Sequence, residues 1–353
     1  MSRVTNRRLQ DHSAVVRRRH APPPEGVAPR RGRPVHLRRP AAPPRDPAGP
    51  ASGGSKQGRE RFKELDGYRV DREWKRYEGT PQRDLFRELR ARFLQRHLPP
   101  RGWTLDVGSG PGRFAPYLGL PGARRVLLDL SIRMLKEAVR RFSTAAPQEP
   151  APDLVRGDAA HPPFKSNTFS EVVLLGNVIG FAESEAGPLL EGAIDLVAPM
   201  GLIVLETVVE AGEHSRYLRR LPVGAVRRLL AAPINAVRPR VEREGFRPEP
   251  EPSGDSKFRR MPEEEVRARF AAQGVETLEA MAVAPALGGD PERVSSIRLE
   301  PSAWRHLLEL EEVLGRTAPR RARAAALLVA GRRTGNSSSR ALPAPSPDGK
   351  AHD

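Results

Sequence analysis

Residues 103–114 read Trp-Thr-Leu-Asp-Val-Gly-Ser-Gly-Pro-Gly-Arg-Phe. A short apolar run with one acid, Asp106, breaks into glycines at the alternate positions Gly108, Gly110 and Gly112. This pattern predicts a buried strand ending in a tight loop. Glycine accepts positive φ and carries no Cβ, so the backbone of such a loop can touch a ligand directly. A helix is expected to open over residues 114–118. Strand, glycine loop and helix together make the first unit of a nucleotide-binding α/β fold.

The spacing narrows the ligand. A dinucleotide fingerprint needs G-x-G-x-x-G, and Arg113 stands where its third glycine would fall. No Gly-Lys-Ser/Thr follows, so a phosphate-binding P-loop fits worse still. The stretch Asp-Val-Gly-Ser-Gly-Pro-Gly strongly resembles the first motif of class I S-adenosylmethionine-dependent methyltransferases. That cofactor has no phosphate. It presents a carboxylate, an ammonium, a sulphonium and a ribose, which suit bare backbone with an acid nearby.

Downstream, residues 125–130 form a second apolar run ending in Asp129, 23 positions after Asp106. An acid about 20 residues past the glycine loop, at the end of the second strand, is where a ribose diol is read. Ser131 is a good N-cap for the helix expected over residues 132–142. The run from Asp129 to Leu135 resembles the second motif of small-molecule methyltransferases of the ubiquinone-biosynthesis type. Residues 153–158 give a third strand, and the Gly-Asp-Ala-Ala-His-Pro-Pro-Phe that starts at Gly157 resembles the third motif. The resemblance implies that Asp158 accepts from the adenine amino group, with the Ala159 backbone beside it. A fourth strand over residues 171–175 leads into Gly176-Asn177-Val178, at the strand end where open α/β sheets bind ligands.

The resemblance spans roughly residues 60–333 and implies a seven-stranded, mostly parallel Rossmann-like sheet with helices on both faces and an antiparallel last strand. It implies a cofactor set of Asp106, Gly108, Ser109, Gly110, Gly112, Asp129, Leu130, Asp158, Ala159 and Asn177. No general base stands out; Asn177 and His161 are the nearest catalytic candidates by position. Before the glycine loop, residues 82–97 form an amphipathic helix, and Trp74 and Tyr77 are candidates to cap the site. Residues 209–261 exceed the minimal sheet and alternate arginines with leucines and valines, as expected of an insertion or lid. Residues 284–300 read as a loop. Two late strands, 275–283 and 324–332, suit a closing antiparallel hairpin.

Composition sets the remaining bounds. The chain has 353 residues, 37 of them proline and none cysteine. Disulfides, zinc–thiolate sites, iron–sulfur clusters and cysteine nucleophiles are excluded at once, and the histidines show no metal spacing. Residues 1–60 hold 14 Lys/Arg against 4 Asp/Glu, so +10 of the net +17 lies in that arm. Residues 1–58 and 334–353 lack apolar periodicity and read as disordered tails. Residues 59–333 read as the methyltransferase domain. The absence of a long apolar run predicts no membrane span and a cytoplasmic location. A small-molecule acceptor is expected, because no N/D-P-P-Y/F signature of base methylation is present. The alternatives are an RNA or protein acceptor reached through the basic arm, or a non-catalytic S-adenosylmethionine-binding protein.

Overall fold

The computed structural model describes residues 79–97, 102–210, 212–248 and 259–335, together with the helical residues Val70 and Glu73. The two expected tails, apart from residues 334 and 335, and the candidate cap residues Trp74 and Tyr77 lie outside the described residues.

The framework is one seven-stranded sheet in the order β3-β2-β1-β4-β5-β9-β8. Its members are β1 (Trp103–Val107), β2 (Arg124–Asp129), β3 (Asp153–Arg156), β4 (Phe169–Leu174), β5 (Val197–Thr207), β8 (Val275–Ala282) and β9 (Leu327–Arg333). Six strands run parallel; β9 alone is antiparallel, paired with β5 on one side and β8 on the other. The expected sheet and its closing hairpin are therefore present. The chain order reverses between β1 and β4, which places the ligand crevice over the carboxyl ends of β2, β1 and β4.

Alternation along the strands builds two cores. Leu105, Val107, Val126, Val172, Leu205 and Val329 face one way and pack with α4 (Ala186–Asp195) and α8 (Glu263–Ala272). Val173, Val204 and Leu328 face the other, under α1 (Pro81–Arg96) and α10 (Pro301–Gly315). On that second side α2 (Ile132–Ala145) covers Leu127. Thr80 caps α1 and Ser131 caps α2 through their side chains. Helix α1 buries Leu85, Leu89, Phe93 and Leu94, spaced as one helical face.

Two local expectations change. The helix expected over residues 114–118 is a single 3₁₀ turn, Ala115–Tyr117, because Pro116 donates no backbone bond and Gly119, at φ +66°, turns the chain away. The loop expected over residues 284–300 contains α9 (Pro291–Arg298), capped by the Asp290 side chain. The insertion is a folded layer in which the helical stretch breaks at Pro222, between Arg220 and Val223. A small ribbon, β6 (Glu213–Ser215) with β7 (Phe246–Pro248), brackets α5 (Arg216–Arg220), α6 (Val223–Leu230) and α7 (Ile234–Glu244). Helix α6 packs on α9 and α10, so the insertion adds to the α1 side of the molecule. The two remaining short helices are α3 (Val178–Phe181) and α11 (Ala318–Arg321). No helix among the described residues is long and apolar enough to cross a membrane.

Candidate functional site

Strand alternation decides where the acids go. Leu105 and Val107 occupy one face of β1, so Asp106 occupies the other, level with Leu127 on β2 and Val173 on β4. By the same count Asp129 at the end of β2 and Glu206 near the end of β5 share that face, under α1 and α2. Three carboxylates thus gather at the carboxyl ends of the strands, within a chain that is strongly basic overall.

The glycine loop wraps the end of β2. Gly108 and Ser109 both donate their backbone N–H to the Leu128 carbonyl, at 2.8 and 3.1 Å. Gly110 N–H donates to Asp129 Oδ2 at 2.7 Å, and Ser131 N–H to Oδ1 at 2.8 Å. One carboxylate therefore holds both the loop and the start of α2. Each of its oxygens keeps further acceptor capacity. All three loop glycines have positive φ, but their surroundings differ. A Cβ at Gly108 would stand 2.6 Å from Val178, and one at Gly112 2.8 Å from Ala138; at Gly110 it would meet nothing within 4 Å. Two glycines exist for packing, and the third leaves an open face beside Asp129.

The charges are tightly linked. Burial, then Asp129 and later Glu171, pushes the Asp106 carboxyl up to about 8, with Arg113 opposing. Burial also raises Asp129, against the N–H groups of Ser131 and Gly110. Burial works to raise Glu206 as well, yet its pKa is lowered, because Arg90 outweighs it through charge and hydrogen bonds. Arg90 donates from Nε to Glu206 Oε2 at 2.8 Å and from a terminal nitrogen to Oε1 at 2.6 Å. Gly176 N–H adds a third bond to Oε2 at 3.1 Å. Arg113 donates to the Glu73 carbonyl and stands 3.7 Å from its carboxylate.

The remaining expected residues spread along the same rim. Asp158 follows β3 and closes a turn by accepting from Ala160 N–H at 2.9 Å. Leu130 and Ala159 are half-buried beside it, and the Leu130 carbonyl accepts from Arg156 at 3.1 Å. Asn177 follows β4 in the left-handed region, at φ 65° and ψ 33°. Its amide lies against Gly180, where a Cβ would come within 2.4 Å of it. Asn177 Oδ1 and Ser109 Oγ are buried without a hydrogen-bond partner among the described residues. His161 is exposed, and its loop follows β3. Since β3 and β4 are separated by β2 and β1, about three strand spacings of ~4.8 Å part the two catalytic candidates.

Arg90, Glu206 and Glu73 were not singled out by the pattern of residues. A signal existed. Arg90 lies within the apolar stripe of α1, and Glu206 ends the apolar run Leu202–Leu205. A buried charge calls for a partner.

The acids Asp106, Asp129, Glu73 and Glu206 stand with Arg90 and Arg113, the buried Asp106 keeping its proton up to about pH 8, Asn177 Oδ1 and Ser109 Oγ are buried nearby, and Gly110 leaves open space beside Asp129. No curated protein matches the sequence. Among solved structures, magnesium protoporphyrin IX methyltransferase from Synechocystis PCC 6803 with bound S-adenosylmethionine is 12% identical. It covers 80% of this chain and 100% of its own, with TM-score 0.46. Geranyl diphosphate C-methyltransferase from Streptomyces coelicolor A3(2) is 13% identical over 70% of this chain and 77% of its own, with TM-score 0.38. A methyltransferase complexed with the Haloferax volcanii Trm112 activator is 15% identical over 79% and 98%, with TM-score 0.41. Residues 104–201, which carry the glycine loop, Asp129, Asp158 and Asn177, match the family model described as a methyltransferase domain, and the chain is an enzyme that carries this domain.

Proposed function

We propose that the protein transfers the methyl group of S-adenosylmethionine to a small-molecule acceptor over the carboxyl ends of β4 and β5. The observation that carries this reading is the closed pair of bonds from Gly110 and Ser131 to Asp129 beside the open face of Gly110. Asp129 would take the ribose diol and Asp158, with Ala159, the adenine edge. Gly108, Ser109, Gly110 and Gly112 would supply the backbone wall, flanked by Leu130. Asp106 and Asn177 stand toward the methionine end.

The bound cofactor supplies an electrophilic methyl whose departure turns a sulphonium into a neutral thioether, so the leaving group needs no acid. The protein's task is mainly alignment, with nucleophile and methyl carbon held about 3–3.5 Å apart. Asn177 has no titrating group, and its orphaned Oδ1 suits it to orient a donor. Exposed His161 follows β3, on the side proposed for adenine. A ubiquinone-type acceptor remains within this reading, as one small molecule among others. The alternative RNA or protein acceptor rests on the basic arm, which lies outside the described residues. In the insertion, Arg219 and Arg220 are engaged within the protein, with the Gly289 carbonyl and with Glu244, each at 2.6 Å.

The test is calorimetric titration of S-adenosylmethionine into wild type and Asp129→Ala, followed by methylation of a metabolite extract with methyl-labelled cofactor. Binding by wild type, weakened in the variant, and a labelled small molecule are expected. Equal binding by both proteins would sink the site assignment. Label found only in RNA or protein would overturn the acceptor reading.

A further inference from the structure

A cavity of about 300 Å³ opens on the same rim of the sheet, beyond the cofactor residues. That volume is at the lower end of small-molecule sites. Its walls come from segments that leave or enter the sheet at its carboxyl edge. These are Gly212 and Glu213 after β5, Val283 and Ala284 after β8, and Ala324 and Ala325 before the antiparallel β9. Phe86 of α1 closes one side.

Phe86 ties this cavity to the cofactor rim. Its carbonyl accepts from Arg90 at 3.0 Å, and the Arg90 guanidinium lies 5.9 Å from its ring centroid. Arg90 holds Glu206, and Glu206 holds the Gly176 N–H next to Asn177. One unbroken set of contacts therefore runs from the cavity wall to the residue at the methionine end. The far wall is fixed separately. The Glu311 carboxylate of α10 accepts the N–H groups of Ala286 and Leu287, at 2.6 and 2.8 Å, which holds the segment after β8 in place.

Apart from Gln82, whose amide donates to the Gly288 carbonyl, the polar side chains of the cavity lining are one charged group of three. Glu213 is nearly buried and faces two arginines. Arg320 pairs with it and stacks on Phe246, 3.8 Å from the ring centroid. Arg323 approaches Glu213 only through Nε, at 3.6 Å, and its side chain is 53% exposed. The terminal nitrogens of the Arg323 fork have no partner among the described residues. Two guanidiniums share one carboxylate, which leaves one positive charge and a free planar fork at the mouth. An oxyanion fits such a fork at two points.

We infer that this cavity seats the methyl acceptor, and that the acceptor is a small molecule with an apolar body and one oxyanion group anchored on Arg323. The inference rests on the small-molecule reading above. The anchor is distinct from the atom that receives the methyl, so the methylated product keeps its negative charge.

The test uses the full chain, methyl-labelled S-adenosylmethionine and a metabolite extract, with products separated on an anion exchanger at neutral pH. Three proteins are compared: wild type, Arg323→Gln, which removes the fork's charge, and Ala325→Trp, which fills the cavity. Calorimetric affinity for S-adenosylmethionine is read on all three and is expected to hold, which also reports folding. Labelled product should be retained on the exchanger, and its yield should fall at least about tenfold in both variants, the weight of one charge-assisted hydrogen bond. Phosphatase treatment of the extract beforehand separates a phosphate anchor, which abolishes the product, from a carboxylate, which does not; either supports the inference. A labelled product that runs through uncharged, or full yield from Ala325→Trp, overturns the inference and leaves methyl transfer standing. No labelled product from a wild type that binds cofactor overturns both.

Discussion

Arg90 and Glu206, 116 residues apart, meet in a two-point ion pair at 2.8 and 2.6 Å, each side chain only 4% exposed. The pair fastens α1 to the carboxyl end of β5, and through Gly176 it reaches the end of β4. Removing one partner strands the other charge in the interior. Glu206→Gln should therefore lower unfolding stability by about 3–5 kcal/mol, measured by urea denaturation at neutral pH. Because the folded pKa of Glu206 is depressed, its contribution is present above the ordinary carboxylate range and is lost as pH falls through the folded value. The difference between wild type and Glu206→Gln should shrink in acid. A variant within 1 kcal/mol of wild type would mean the pair behaves like a surface contact.

Asp129 is asked to do two things, to hold the loop and to read the ligand. Asp129→Asn keeps the size but replaces one acceptor oxygen with an amide donor, which conflicts with N–H groups on both sides. Its affinity for S-adenosylmethionine should fall by at least about tenfold, as for loss of a charge-assisted bond. Calorimetry reads this directly. Unchanged affinity would remove Asp129 from the site.

The elements legible in the sequence were those set by neighbours along the chain. The strand before Gly108, the acid at 129 and the Ser131 cap all follow from local pattern, and each stands where expected. What the pattern hid depends on distant partners. Neither Arg90 nor Glu206 announces the other, and the Glu73–Arg113 contact joins the glycine loop to a segment 40 residues earlier. Helix α9 was missed for a different reason. Its Asp290-Pro291-Glu292 start is a good N-terminus, but the whole helix is only eight residues long, too short for a clear periodicity. The turn after the glycine loop failed as a helix because Pro116 and Gly119 outweigh the apolar residues around them.

The glycines of the loop should separate stability from binding. A methyl at Gly112 would collide with Ala138 at 2.8 Å, whereas one at Gly110 enters open space. Both positions have positive φ, which strains alanine by roughly 1–2 kcal/mol. Gly112→Ala should add an overpacking cost of about 1–3 kcal/mol, so it should melt well below Gly110→Ala. Gly110→Ala should remain the better folded of the two and yet bind S-adenosylmethionine weakly, because its methyl occupies the proposed ligand face. Thermal melts and calorimetry on the pair decide the matter. Full cofactor affinity in Gly110→Ala would show that the open face is not where the ligand lies.

The buried acids predict opposite pH responses for folding and for binding. Asp106 is pushed up to about 8, and Glu171 and Glu311 to about 7, by burial first in each case. Unfolded carboxylates ionise near 4, so between about pH 4 and 8 the folded chain holds more protons than the unfolded one. The stability these neutral acids contribute is full below that range and declines as pH rises through the folded values, by on the order of 1.4 kcal/mol per pH unit for each group. The ligand-free protein should therefore melt at lower temperature at pH 8 than at pH 6. Binding should run the other way. S-adenosylmethionine brings a permanent sulphonium charge, which favours ionised Asp106, so its affinity should rise with pH up to about 8 and then level. S-adenosylhomocysteine shares the α-amino group but lacks the sulphonium, so the difference between the two ligands isolates that charge. The difference should steepen toward tenfold per pH unit, the limit for one linked proton, and it should vanish in Asp106→Asn. Parallel pH profiles for the two ligands in wild type would show that Asp106 does not sense the cofactor's charge.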